Sequence, residues 1–473
     1  MSHPAPTGPV PRPTFHLTPH RNWMNDPNGL VHHRGLWHVY FQYNPEGPDW
    51  GNMSWGHATS ADLHEWTEHP VALRYREGEQ IYSGSVVASG ADDQLTAFYT
   101  SAYDDNHQAQ SRATSSDGGF TWQLDPDNPV LDRGTSSFRD PKVIRFSEAD
   151  GTIRWILLAV EADERRVLFY SSTDQRAWTY LSAYGPLGTD SVVWECPDLI
   201  PLAVDGDPDR VHWVLTLSTN PVGDDPDPDG SSMSYVVGQF DGTGFMADTH
   251  QLTRLDHGRD FYAGVTFDGA PHGDAIMLGW MNNWTYAHVF PSTPWRGAMS
   301  LPRRLSLRST EGETRLVQHP PAFITEQLSA STSHRHDTAE AVVLTLSGHA
   351  LVDLSWDPAQ TGTLRLRLTG AADACVELEH TPESNTLRIT RSGGAAAAIH
   401  PHFQSTSAVP LSGATPARLL LSLDGPLLEL FLNGGEATAS NLVVLGTQRI
   451  TATLDTEHRG QVDVTAVDAS TPA

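Results

Sequence analysis

The sequence predicts an all-β protein in which a five-bladed β-propeller is followed by a carboxyl-terminal β-sandwich. Three observations carry this. Four polar motifs, Asn25-Asp26-Pro27, Ser83-Gly84-Ser85, Arg139-Asp140-Pro141 and Glu195-Cys196-Pro197-Asp198, recur so that Asp26, Ser83, Asp140 and Glu195 stand 57, 57 and 55 residues apart. That is the length of one four-stranded blade with its connections. A second repeat keeps step with the first: Asp62 to Trp66, Asp117 to Trp122 and Asp174 to Trp178 are Asp-turn-Trp units whose tryptophans lie 56 residues apart. The third observation is a change of character beyond about residue 335, where Ala, Leu and Thr dominate and short apolar-polar alternations replace the long-period motifs.

Taken in order, residues 1–14 form a Pro-rich amino-terminal tail, and residues 15–309 have room for five blades at this spacing. Runs at 37–41, 85–88, 155–160 and 212–217 are β-branched or aromatic and bounded by turn residues, as strands are. Between 204 and 230 the chain turns Asp-, Pro- and Gly-rich, the composition of a surface insertion, which accounts for the longer step to the next blade. Residues 310–335, centred on Gln318-His319-Pro320-Pro321, lack clear alternation and read as a connector. Residues 336–473 then read as the sandwich: 363–368, 385–390 and 461–465 alternate apolar with polar, and Leu428 to Leu432 runs into Asn433-Gly434, a hairpin signal.

Composition narrows the function. The net charge of −27, from 57 acidic against 30 basic residues, argues against nucleic acid or an anionic membrane surface as partner. Lys142 is the only lysine, so no Gly-rich loop ends in Gly-Lys-Ser/Thr and any Schiff base would have to form there. Cys196 and Cys375 fall in different expected domains and read as free thiols. No segment of 18 apolar residues occurs, and Met1 to Pro13 lacks the apolar centre of a signal peptide, so the expected setting is cytoplasmic.

In a propeller, residues in the same phase of each blade face one axis, so the repeat gathers Asp26, Asp140 and Glu195 in one funnel. Paired carboxyl groups are what cleavage of a sugar bond requires, one as nucleophile and one to donate and later remove a proton. Asp26, in a turn with Pro27 and Gly29, is expected to be kept ionised by nearby backbone N–H groups. Glu195, after the apolar residues 192–194, is expected to have the raised pKa of a general acid. Each motif alone is an ordinary turn dipeptide, and only their common period argues for function. Asp225, Asp227, Asp229 and Gly230 imitate the start of a calcium loop but place Val236 where its Glu would stand. His64-Glu65-Trp66-Thr67-Glu68-His69 lacks zinc-ligand spacing, so no metal and no cofactor are expected. The box at Ser115 invites sialidase chemistry, but no arginines recur in the repeat phase.

The motifs Trp23-Met24-Asn25-Asp26-Pro27-Asn28-Gly29, Phe41-Gln42-Tyr43-Asn44-Pro45, Trp55-Gly56-His57-Ala58, Arg139-Asp140-Pro141 and Trp194-Glu195-Cys196-Pro197-Asp198 resemble the signatures of glycoside hydrolase family 32, the invertases, inulinases and levanases. The resemblance covers nearly the whole chain and implies a five-bladed propeller joined to a sandwich. It implies Asp26 as nucleophile, Asp140 as stabiliser of the oxocarbenium-like transition state and Glu195 as acid/base, with Arg139 keeping Asp140 ionised. Asn25, Gln42, Trp50, Ser83 and Trp280 would form the sugar subsite, and Tyr82, Arg139 and Trp295 are also expected to bind substrate. Residues 279–287 with Pro294-Trp295-Arg296-Gly297 are similar to the microbial exo-inulinase and levanase branch, and Asp256 and Tyr262 would meet the leaving group on the rim. The departures are Tyr82, where a Phe is usual, and a short stretch between Ser85 and Phe98. The implied activity is a retaining exo-β-fructosidase acting on fructo-oligosaccharides, inulin, levan or sucrose. A fructosyltransferase and an inactive sugar-binding propeller are the alternatives.

Overall fold

The computed structural model describes residues 9–88, 94–148, 150–223, 230–310, 312–411, 413, 415–446 and 449–469. Five antiparallel blades, each built from consecutive hairpins, surround one axis. Their innermost strands are Asn22–His33 in blade I, Glu79–Ala88 in II, Phe138–Ser147 in III, Val192–Val204 in IV and Tyr262–Thr266 in V. Trp295–Arg296 lies parallel to Asn22 and Trp23, so a late segment of the chain completes blade I and closes the ring. The sheets of blades IV and V are joined by a parallel bridge between Val204 and Leu307.

The Asp-turn-Trp repeat marks the turn between third and fourth strands. Ser60, Ser115 and Ser172 end the third strands of blades I, II and III, and each hydroxyl donates to the Asp two residues on, at 2.8–2.9 Å. Those carboxylates, Asp62, Asp117 and Asp174, accept backbone N–H groups of the turn, which substitutes for ladder bonds the chain gives up there. Blade IV repeats the device with Asp241, which accepts from the N–H groups of Thr243 and Gly244.

The second repeat has a different cause. Every innermost strand slips register against its neighbour at the same point, between Met24 and Pro27, Tyr82 and Gly84, Arg139 and Lys142, Glu195 and Asp198, and Tyr262 and Val265. These are β-bulges, which bend a strand and re-aim a side chain. Asp140, Cys196 and Ala263 take positive φ values of 62°, 48° and 53° there. At Gly84 a Cβ would fall 2.0 Å from the Phe98 carbonyl oxygen, so only glycine lets the bulge close against the next strand.

Two six-stranded sheets pack face to face beyond residue 333. Their alternation buries Val352, Leu354 and Trp356 from one sheet against Leu366, Leu368 and Leu378 from the other. Asn433 and Gly434, with φ of 48° and 75°, turn the hairpin between Leu427–Leu432 and Ala437–Leu442. Two expectations are corrected. Much of the supposed insertion at 204–230 is strand, because Asp207–Pro221 pairs with Val192–Val204 along most of its length; Asp225, Asp227 and Asp229 lie outside the described residues. The supposed connector at 310–335 begins with Glu313–His319, which pairs with Arg303–Thr310 as the outer strand of blade V, and continues as the helix Ala322–Ser329. This strand does not alternate because its burial runs in a block: Glu313, Thr314 and Arg315 are not buried, whereas the consecutive residues Leu316, Val317 and Gln318 all are.

A buried polar seam joins the two domains. Arg303 bonds Asp256 at 2.8 Å and Glu429 at 2.6 Å, and donates to Gln318, Thr438 and Ser440. His16 spans Asp424 and Glu429 at 2.8 and 3.1 Å. Burial opposes charge on His16, yet its hydrogen bonds to the two carboxylates outweigh that and raise the imidazole to about 9. Thr14 donates its N–H and hydroxyl to Asp424, so residues 9–14 of the expected tail lead into a fixed contact with the sandwich.

Candidate active site

The bulges turn five positions toward one mouth: Asp26, Ser83, Asp140, Cys196 and Ala263 are equivalent in blades I to V. Glu195 stands one residue ahead of that phase, which is why its spacing is 55 rather than 56. Asp26, Asp140 and Glu195 line one cavity of about 320 Å³, together with Asn25, Gln42, Trp50, Tyr82, Ser83, Gln108, Arg139, Asn220 and Trp284. A cavity of this size lies at the small end of ligand pockets.

Each carboxylate has its own set of partners. Asp26 accepts from the Ser83 hydroxyl at 2.7 Å and the Asn25 amide at 3.0 Å; Asn25 is itself oriented by the Trp23 indole N–H at 2.7 Å. Asp140 accepts from the Cys196 backbone N–H at 2.9 Å, while its own N–H donates to the Thr100 hydroxyl. The Cys196 thiol lies 3.6 Å from Asp26 and 3.7 Å from Asp140. Glu195 accepts at Oε1 from Arg139 Nε and Nη2, at 3.2 and 3.1 Å, and at Oε2 from the Tyr262 hydroxyl. Its side chain keeps 21% exposure, whereas Asp26 and Asp140 are buried.

This electrostatic arrangement differs from the sequence expectation at three places. Asp26 is held by side chains rather than backbone N–H groups, and burial followed by the charge of Glu195 pushes its carboxyl above the ordinary range. Arg139 serves Glu195 and comes no nearer than 3.9 Å to Asp140. Burial pushes Asp140 up, Arg139 opposes this, and Glu195 and Asp26 add to the rise. Glu195 sits beside a guanidinium and a phenol, not in an apolar setting.

Of the remaining expected residues, Asn25, Gln42, Trp50, Tyr82 and Ser83 line the cavity; Trp50, at 47% exposure, stands on its rim against Tyr82. Four are corrected. Asp256 is buried in the interdomain seam against Arg303 and Ser440, away from the mouth. Trp280 is fully buried behind Trp23 and Trp284, and Trp284 supplies the wall instead. Trp295 is buried beside the amino-terminal segment, with the Arg12 guanidinium over its ring. Tyr262 is buried and bonds Glu195 rather than standing on the rim. Gln108, Asn220 and Trp284 were missed. Trp284 lies four residues past Trp280 within one aromatic motif, but Gln108 and Asn220 sit at strand ends with no motif around them.

Below the mouth, Lys142 bridges blades III, IV and V. Its ammonium donates to Asp198 at 3.0 Å and to the Thr266 carbonyl at 2.7 Å. Among the described residues no group of three or more His, Cys, Asp or Glu is arranged to hold a metal ion, and no helix is long and apolar enough to cross a membrane.

Residues 16–320 match the glycosyl hydrolases family 32 N-terminal domain and residues 314–465 match the family 32 C-terminal domain. A levanase of Bacillus subtilis is 34% identical over 459 residues, covering 92% of this chain and 66% of that protein. An extracellular exo-inulinase of Aspergillus niger is 38% identical over 366 residues, covering 69% of this chain and 66% of its own. The chain thus spans about two thirds of the length of these curated relatives. Among solved structures, the exo-inulinase from Aspergillus awamori superposes with a TM-score of 0.89 at 30% identity, covering 99% of both chains. A β-fructofuranosidase from Schwanniomyces occidentalis complexed with fructosyl-erythritol superposes with a TM-score of 0.83 at 27% identity, covering 96% of this chain and 97% of that one.

Proposed function

Because the chain belongs to glycosyl hydrolase family 32, we propose that it is a retaining exo-β-fructosidase that releases terminal non-reducing β-D-fructofuranosyl units from fructo-oligosaccharides, inulin, levan and sucrose. The observation that carries this reading is the meeting of Asp26, Asp140 and Glu195 in one cavity of about 320 Å³. Asp26 attacks the anomeric carbon as Glu195 gives its proton to the leaving oxygen; Glu195 then takes a proton from water, whose oxygen displaces Asp26. Asp140 holds sugar hydroxyls and faces the positive charge that develops on the ring. For Asp26 to attack it must be ionised while Glu195 is protonated; Ser83 and Asn25, donating to Asp26, favour its ionised form against burial and the charge of Glu195.

The relatives named for levan, inulin and sucrose chemistry support a fructosyl substrate in this pocket. The deciding experiment compares free fructose released from sucrose, a short inulin-type oligosaccharide, inulin and levan, and follows the first-formed anomer by NMR. Release of β-fructose from chain ends supports the reading. Transfer of fructose to a second sugar in place of release would make the protein a transferase, and binding without release would make it a sugar-binding propeller.

A further inference from the structure

The propeller holds Glu195 from two sides, and one of them leads out of the propeller. Arg139 is anchored in blade III, next in line to Asp140. Tyr262 opens the inner strand of blade V, and the segment just ahead of it, residues 256–260, is bound to the sandwich as well as to the propeller. His257 N–H donates to the Thr438 carbonyl at 2.8 Å and Asp260 N–H to the Ser440 carbonyl at 3.0 Å, a backbone ladder along the edge strand Ala437–Leu442. The side chains clamp the same segment: Ser440 N–H donates to Asp256 and Leu442 N–H to Asp260, at 2.8 and 2.7 Å. Arg303 bonds Asp256, and Arg391 of the sandwich bonds Asp260 at 2.8 Å. The fit is close, since a Cβ on Gly258 would fall 2.0 Å from the Ser440 carbonyl oxygen.

We propose that Tyr262 is a positioning residue for Glu195, and that the β-sandwich sets its place by clamping residues 256–260 against the edge strand Ala437–Leu442. This rests on the fructosidase reading, in which Glu195 is the acid/base. Tyr262 is buried and absent from the cavity lining, so it acts on Glu195 and not on the sugar. The groups facing Glu195 are Arg139 on blade III, Tyr262 on blade V, Asp26 on blade I, Tyr82 on blade II, and Asp140 and Cys196 beside it. Of these, only Arg139 and Tyr262 donate to its carboxylate oxygens. A donor to a carboxylate favours its ionised form and fixes its rotamer. Removing the phenol hydroxyl therefore leaves Glu195 less well aimed and holds its proton to higher pH.

The test is the pH profile of the full-length protein. In Tyr262→Phe the upper limb of kcat/KM, which reports loss of the acid's proton, moves up by about one pH unit, kcat falls by about tenfold, and KM stays within about twofold. An unmoved limb overturns the proposal. Gly258→Ala forces the segment away from Ser440 and moves the limb in the same direction by less; where that variant does not melt cooperatively, Arg391→Lys takes its place. A wild-type limb in a folded clamp variant overturns the role of the sandwich. Glu195→Gln separates the two levels: if it stays active the fructosidase reading fails, whereas a dead Glu195→Gln beside an unshifted Tyr262→Phe removes this inference alone.

Discussion

Two buried polar clusters in this molecule contain nearly the same side chains and are built to opposite ends. The interdomain seam sets Asp256, Asp424 and Glu429 against Arg303 and His16, each carboxylate bonded to a cation and to further donors. The funnel sets Asp26, Asp140 and Glu195 against Arg139 alone. In the seam, burial works to raise the carboxyls of Asp256 and Glu429, but Arg303 and the surrounding hydrogen bonds bring them below their ordinary range. In the funnel, burial pushes Asp26 and Asp140 above theirs. A balanced cluster holds two bodies together. An unbalanced one raises the proton affinity of Asp26 and Asp140, and the fold bears its repulsion.

The largest effect that can break this contrast lies in the funnel. Asp26→Ala and Glu195→Gln should each lower kcat by about three orders of magnitude or more, because each removes one half of a two-step displacement. Retention of a tenth of the activity would mean that the imbalance is not catalytic. The seam should answer in stability. Arg303→Met leaves Asp256 buried without its cation and Glu429 with His16 alone, and should cost about 3–5 kcal/mol in a denaturant melt. A loss below about 1 kcal/mol would show that the seam is not what joins the domains.

A third measurement sharpens the seam by pH. His16 has a folded pKa raised to about 9, so its contribution is fully present below its unfolded value near 6.5 and disappears as pH rises through 9. Stability should fall by about 3 kcal/mol across that window, and His16→Gln should flatten the slope. The smallest effect belongs to Asp140. Its carboxyl is raised, so ionising it destabilises the fold: that part of the stability is present below about pH 4 and is lost as pH rises through the folded value. Asp140→Asn should therefore raise stability at pH 7 by about 1 kcal/mol while kcat drops more than KM rises. A destabilised Asp140→Asn would place the funnel in the same class as the seam.

The propeller was legible because its repeats are structural devices with fixed side-chain needs. A third-to-fourth-strand turn needs an Asp that accepts N–H groups, and an inner bulge puts one residue per blade at the mouth, so both leave marks at one period. The cavity's first wall was legible for the same reason. What was lost is whatever depends on partners far along the chain. Asp256 reads as a rim acid until Arg303, 47 residues on, claims it. Arg139 is adjacent to Asp140 in sequence, but its guanidinium points to a glutamate 56 residues later. Gln108 and Asn220 reach the cavity from strand ends where nothing local demands an amide.

Lys142 has a practical consequence of its own. As the single lysine of 473 residues, with its ammonium tied to Asp198 and Thr266 across three blades, it offers an amine-directed reagent no accessible lysine on the folded surface. Acylation of that one side chain becomes a clock for the opening of the propeller's axis, read by mass spectrometry from a single modified peptide.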